Sequence, residues 1–318
     1  MNAIIGGEEQ KLDDAARAGW LYYVARMTQD EIARELGVSR QKAQRLVSLA
    51  ASAGLVKVRL DHPIGRCMEL SARLRERWDL GVAEVAPSTP GAPGLLTGAA
   101  AAAAAEIERV MADDRPRIIA IGTGRATVAA VEQVNRIERP QHSVVALLGN
   151  MMMDGSASPF GAAVRLAERT GARHYPFALP VFASGPEEVA MLHAQAPVTS
   201  TLRLCAQADV AFVGVGGVTN DAPLVKDGFV DPDAMRALME AGAAGEITGW
   251  VFDGDGRVLE GGLNARVTGA PLVAGGARPV VCIAVGAEKV EPLRAALRGR
   301  LVNGVVTDEA TAESLLAS

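Results

Sequence analysis

Four short apolar runs, each closed by glycine and followed by a helix-forming stretch, constrain this chain more than any other feature. They are IIAIG at 118–122, VVALLG at 144–149, VAFVGVG at 210–216 and VVCIAVG at 280–286. Strands buried on both faces read as near-continuous apolar runs, and strands alternating with helices imply a mostly parallel sheet covered on either side. From Arg117 onward the chain therefore reads as a Rossmann-like α/β domain. RHYPF at 173–177 begins a further strand, and the tail NGVVTDEATAESLLAS reads as strand, helix start and closing helix. Residues 249–258 (GWVFDGDGRV) break the rhythm and read as two short strands joined through Asp253-Gly254-Asp255-Gly256. Those aspartates lack the spacing and distal glutamate of a calcium loop, so a tight turn is expected there.

The first 60 residues follow a different pattern: helix, helix, helix, short strand. A helix over 13–26 offers Trp20, Leu21, Tyr23 and Val24 for packing. Thr28 and Glu31 form a capping box that opens a helix over 29–36, which ends at Gly37. Ser39 caps the next helix, 40–53, and Leu55 to Leu60 alternates as a half-exposed strand would, completing a winged-type module. After Pro63, a helix over 64–78 serves as a connector or a pairing element. The expected divisions are 1–60 for the helical module, 61–94 for a connector of helix, strand and loop, and 95–318 for the α/β domain.

Charge is unevenly spread. The chain carries 37 acidic against 32 basic side chains, a net −5, yet residues 38–60 hold Arg40, Lys42, Arg45, Lys57 and Arg59 with no acid. A short basic stretch in an acidic chain points to local contact with a polyanion. Within 28–50 (TQDEIARELGVSRQKAQRLVSLA), Ala33 is small where two helices approach and Gly37 turns the chain. Ile32, Leu36, Val38, Ala43, Leu46 and Val47 face inward. This is helix-turn-helix spacing, and it leaves Arg40, Gln41, Gln44, Arg45 and Ser48 on the outer face of the second helix. Arg and Gln match guanine and adenine edges in the major groove, while Lys42, Lys57 and Arg59 suit phosphates. The expected partner is double-stranded DNA.

In the α/β region, GTGRAT at 122–127 follows a strand and opens a helix. Backbone N–H groups there, the hydroxyls of Thr123 and Thr127 and the charge of Arg125 suit a phosphate. A dinucleotide site is disfavoured, because Thr127 replaces the third glycine and no acid follows the next strand. Gly149, Asn150, Gly214, Gly216, Gly217 and Gly286 also end strands, where α/β ligands gather. Lys289 in a first helical turn calls for a nearby anion.

These parts in this order resemble the SorC-type family of sugar-responsive bacterial transcriptional regulators. The likeness rests on GTGRAT, AGEITGWVFDGDG, VGAEKVEPLRAALRG and NGVVTDEATAESLL, and spans nearly the whole chain. It implies an effector domain similar to sugar-phosphate isomerases and deaminases that binds a sugar, polyol or sugar phosphate without consuming it. It also implies a homo-oligomer, commonly a tetramer, with a dimer as the other option. Carried over by position, it implies effector contacts at Gly122, Thr123, Gly124, Arg125, Thr127, Asn150, Glu246 and Lys289.

An isomerase or deaminase with an appended DNA-binding module is the rival. Only four histidines occur, His62, His142, His174 and His193, and none sits at an expected strand end or beside an obvious carboxylate. Neither a catalytic residue, a cofactor nor a metal site is expected. Three scattered cysteines, no run of about 20 apolar residues and no signal-like start point to the cytoplasm rather than a membrane.

Overall fold

The computed structural model describes residues 2–56, 64–89, 91, 94–152 and 155–317, with side chains from residue 10 onward. The chain divides into two compact units, Met1–His62 and Pro63–Ser318.

The first unit holds α1 (Asn2–Tyr23), α2 (Gln29–Glu35) and α3 (Arg40–Ser52). The expected capping box is present: Thr28 N–H donates to the Glu31 carboxylate at 2.7 Å, and Glu31 N–H donates to the Thr28 hydroxyl at 3.4 Å. Ser39 caps α3 by accepting from Lys42 N–H, and Gly37 turns the chain at φ +65°. Ile32, Ala33, Ala43, Leu46 and Val47 close the core over Ala15, Ala18 and Leu21. On α1 the structure differs from expectation, since Trp20 is 55% and Val24 62% exposed. Small residues seat this helix instead: a Cβ on Gly19 would come within 2.7 Å of Val56 and 2.8 Å of Ala50. Most of the strand expected at 55–60, with Lys57 and Arg59, lies outside the described residues.

The second unit begins with α4 (Gly65–Trp78), β1 (Val82–Ala86), α5 (Thr97–Met111), β2 (Ile118–Ile121), α6 (Arg125–Gln133) and β3 (Ser143–Ala146). It continues with α7 (Ala162–Thr170), β4 (Arg173–Tyr175), α8 (Pro186–His193), α9 (Ala196–Gln207), β5 (Val210–Val213), β6 (Gly216–Gly217), α10 (Pro223–Lys226) and α11 (Pro232–Glu240). The closing elements are β7 (Ala243–Ile247), β8 (Trp250–Asp253), β9 (Val280–Ile283), α12 (Ala287–Arg298), β10 (Gly304–Asp308) and α13 (Glu309–Leu316). Seven strands form one sheet in the order β1-β10-β9-β5-β2-β3-β4, every neighbouring pair parallel. All four apolar runs named above lie in this sheet. Its core is built from Ala, Val, Leu and Ile, and the alanine helix α5 buries Ala99, Ala100, Ala103 and Ala104, side chains short enough for close approach.

The structure departs from the expected connector at 61–94. Helix α4 buries Leu70 and Leu74 in the α/β core, and β1 is an edge strand of the sheet, with Val82 opposite Gly304. Arg75 ties them, donating to Ala83 O and to Glu84, both at 2.8 Å. Glu84 interrupts the apolar run, which an edge position tolerates, so the strand expected in the connector does not read as a member of the sheet.

The expected hairpin through Asp253-Gly256 is present, with Phe252 bridged antiparallel to Val258 and Leu259 N–H donating to Val251 O at 3.0 Å, and a second hairpin precedes it. β6, β7 and β8 form a small antiparallel sheet, and the β7–β8 turn is Thr248-Gly249, both at positive φ. Asp253 does make a tight turn beyond β8, its carboxylate accepting from Asp255 and Arg257 N–H at 2.9 Å. Gly256 is required there, because a Cβ would collide with Gly299 and the Ala295 carbonyl at the end of α12.

Candidate functional sites

On α3 the inward stripe Ala43, Leu46, Val47 and Ala50 fixes which side chains point away. Arg40, Gln41, Lys42, Gln44, Arg45 and Ser48 are all exposed on this helix. Arg40 reaches Asp30 at 3.5 Å with both side chains largely in solvent, a pair of little energetic weight. Neither Lys42 nor Arg45 makes an ion pair among the described residues. The helix thus offers paired donors and acceptors with two cations uncommitted.

In the second unit a cavity of about 500 Å³ opens beyond the carboxyl ends of the parallel strands. It lies where the chain order reverses, between β2 and β5, the place where open α/β sheets bind ligands. Gly124 and Gly286 stand at φ +133° and +118°, and each turns a strand straight into a helix, α6 or α12. Neither helix start has a side-chain cap, so their first N–H groups face the cavity region without one.

Of the expected effector residues, Thr123, Gly124, Arg125, Glu246 and Lys289 line this cavity together. Three do not. Gly122 is a packing glycine, since a Cβ would sit 3.0 Å from Thr248 Cγ2. Thr127 is buried and donates its hydroxyl to Gly124 O at 2.9 Å. Asn150 lies on the loop after β3, where its carbonyl accepts from Ser158 N–H, outside the cavity wall. The histidines stay away as expected: His142 bonds Arg117 N–H and Met111 O, His193 bonds Thr268 O, and His174 is on edge strand β4. His62 lies outside the described residues.

Glu246 on β7 bonds Gly249 N–H at 3.0 Å and rests against Gly216, where a Cβ would run into its carboxylate. Burial pushes its carboxyl above the usual range, while the Gly249 hydrogen bond and the Lys289 ammonium pull it down. Behind them the buried Cys282 thiol is pushed up to about 12 by loss of solvent, so it stays protonated and unreactive.

Sequence reasoning missed the wall formed by 221–229. Asp227 holds Arg125 at 2.7 Å, and the same guanidinium lies 4.8 Å over the Phe160 ring. These residues follow no motif. The one local signal is the Asp227-Gly228 turn, with Gly228 at φ +75°.

A parallel sheet with a switch-point cavity, joined in one chain to a helix-turn-helix, defines a class of two-unit α/β protein with a ligand-sized cavity and an N-terminal helical module. The chain belongs to the Sugar-bind family, whose sugar-binding domain matches residues 62–317. Its relatives include the "Erythritol catabolism regulatory protein EryD" of Brucella abortus (strain 2308), 35% identical over 95% of this chain and 96% of that one. Another is the "Transcriptional regulator LsrR" of Escherichia coli (strain K12), 29% identical over 96% of this chain and 95% of that one. Among solved structures, the full-length sorbitol operon regulator SorC from Klebsiella pneumoniae matches with a TM-score of 0.70 at 24% identity, covering 96% of this chain and 99% of that one. That likeness supports the expected fold. The curated relatives are regulators, which favours the regulator reading over the isomerase or deaminase alternative. No helix among the described residues is long and apolar enough to cross a membrane.

Proposed function

We propose that this protein is a DNA-binding transcriptional regulator of a carbohydrate-metabolism operon, its operator affinity set by a sugar, polyol or sugar phosphate in the strand-end cavity. The observation that carries this is the coexistence in one chain of an outward-facing recognition helix and a switch-point cavity lined by Glu246 and Lys289. Arg40, Gln41, Gln44, Arg45 and Ser48 read base edges, and Lys42 holds the backbone. Thr123, Gly124, Arg125, Glu246 and Lys289 hold the effector. Glu246 accepts hydrogen bonds from hydroxyls, and Lys289 donates to them.

Control follows from linkage. Effector and operator each favour one arrangement of the protein, so each changes the other's affinity by the same factor. A homotetramer or homodimer in the cytoplasm would present paired recognition helices to neighbouring half-sites. The kinship with a regulator named for erythritol catabolism supports small polyols among the candidate effectors. The test combines electrophoretic mobility shifts on the protein's own promoter region with thermal-shift screening against sugars, polyols and their phosphates. A compound that both raises the melting temperature and alters the shift is the expected result. Absence of salt-sensitive promoter binding, with and without every compound, overturns the reading.

A further inference from the structure

The charges lining the cavity bear on what kind of molecule it accepts. Each of its cations has a carboxylate of the protein as a neighbour. Arg125 bonds Asp227 at 2.7 Å and Lys226 lies 3.4 Å from Asp221. Lys289 is the cation acting on Glu246. Glu288, also on the wall, makes four carboxylates against three cations, so the cavity holds no surplus positive charge.

The Arg125–Asp227 pair is the one built into the wall. The Asp227 side chain is only 18% exposed, and the guanidinium it holds lies over Phe160. Arg125 is also the first residue of α6, directly after Gly124. A helix start with an arginine would ordinarily be where a ligand's phosphate settles. Here a phosphate would meet a carboxylate already bonded to one nitrogen of the half-exposed guanidinium, and two anions sharing one cation repel each other.

We propose that Asp227 is a resident anion beside Arg125, so that the cavity takes an uncharged polyhydroxylated molecule, a polyol or free sugar, and rejects its phosphate ester. This rests on the reading of the cavity as the effector site and names the chemistry of that effector. The remaining groups suit hydroxyls. The Glu246 carboxylate accepts from neighbouring O–H groups, the Lys289 ammonium donates to their oxygens, and Thr123 and Thr248 add hydroxyls that do both. Asp227 is then a specificity-determining residue: it sets which ligand is refused.

The experiment is calorimetric titration of the full chain with four-, five- and six-carbon alditols and with the monophosphates of the same alditols. At least one alditol should bind about tenfold or more tightly than its monophosphate, the discrimination a like charge in the site imposes. Asp227→Asn, which leaves Arg125 without its anion, should narrow that ratio by about tenfold. Should Asp227→Asn not fold, the wild-type salt series decides: alditol affinity stays flat from low to high sodium chloride, as for an uncharged ligand. A monophosphate that binds the wild type more tightly than its alditol, with an affinity that falls as salt rises, overturns the assignment of Asp227 while leaving the cavity reading intact. An unchanged ratio in folded Asp227→Asn also overturns it. Binding of neither class overturns the cavity reading and the proposal with it.

Discussion

Two sets of cations in this molecule are kept in opposite ways. On α3, Lys42 and Arg45 stand exposed with no carboxylate paired to them among the described residues, and Arg40 touches Asp30 only loosely at 3.5 Å. In the cavity, Arg125 is held at 2.7 Å by a largely buried Asp227, and the charge of Lys289 draws down the carboxyl of Glu246 on the same wall. The residue types are the same, so basic side chains alone say little about what a surface binds. What matters is whether the protein has already supplied the counter-charge. Uncommitted cations welcome a polyanion and release its counterions, whereas pre-paired cations act as oriented hydrogen-bond donors with little net field.

The contrast can be broken most directly with salt. If the three α3 cations neutralise about three phosphates, operator affinity should fall by about 40-fold between 50 and 200 mM salt, while effector affinity barely moves. Parallel slopes in the two titrations would erase the distinction. Next in size, Arg45→Ala should lose about 1–3 kcal/mol of operator binding and relax base preference at one position. The thermal shift given by effector should stay, and a mobility-shift series on point-mutated operators reads the difference. Lys289→Ala should act the other way, weakening effector binding by about tenfold with operator affinity kept, as seen by titration and mobility shift on one preparation. An intact effector response in Lys289→Ala would remove this lysine from the cavity's working set.

The smallest effect is on stability. Glu246 holds its proton to higher pH when folded than the ordinary 4.5. The native state therefore binds more protons than the unfolded one in that window, and stability falls as pH rises from 4.5 through the raised value. Glu246→Gln should flatten that slope and raise the melting temperature at neutral pH by about 2 °C, at the expense of ligand affinity. Melting curves across pH for both proteins check the sign.

The helix-turn-helix was legible because every determinant lies within one stretch, and the inward stripe of α3 fixes its outward face by geometry alone. The central strands were legible because burial on both faces demands uninterrupted apolar residues. β1 was expected only as a connector strand and not as part of the sheet, since an edge strand can carry Glu84 and pair it with Arg75. The cavity was half legible: strand-end positions revealed Thr123, Gly124, Arg125 and Lys289, and family resemblance added Glu246. Gly122 and Thr127 belong to the same loop but serve packing and the helix start. Asp227 could not be found from spacing, because its partner Arg125 is 102 residues away and meets it only when the chain has folded. Trp20 and Val24 show the converse error, apolar residues assumed to be inside that the glycine contact of α1 leaves outside.

The placing of β10 between β1 and β9 has a consequence for how the protein is made. As a ribosome extends the chain, β1 emerges early but must wait without its neighbour until residues 304–308 arrive. The α/β unit cannot complete its sheet while growing, whereas the three helices of residues 2–52 find their described core partners within the first 56 residues. A nascent polypeptide of this sequence should therefore acquire its helix-turn-helix module well before its ligand cavity exists.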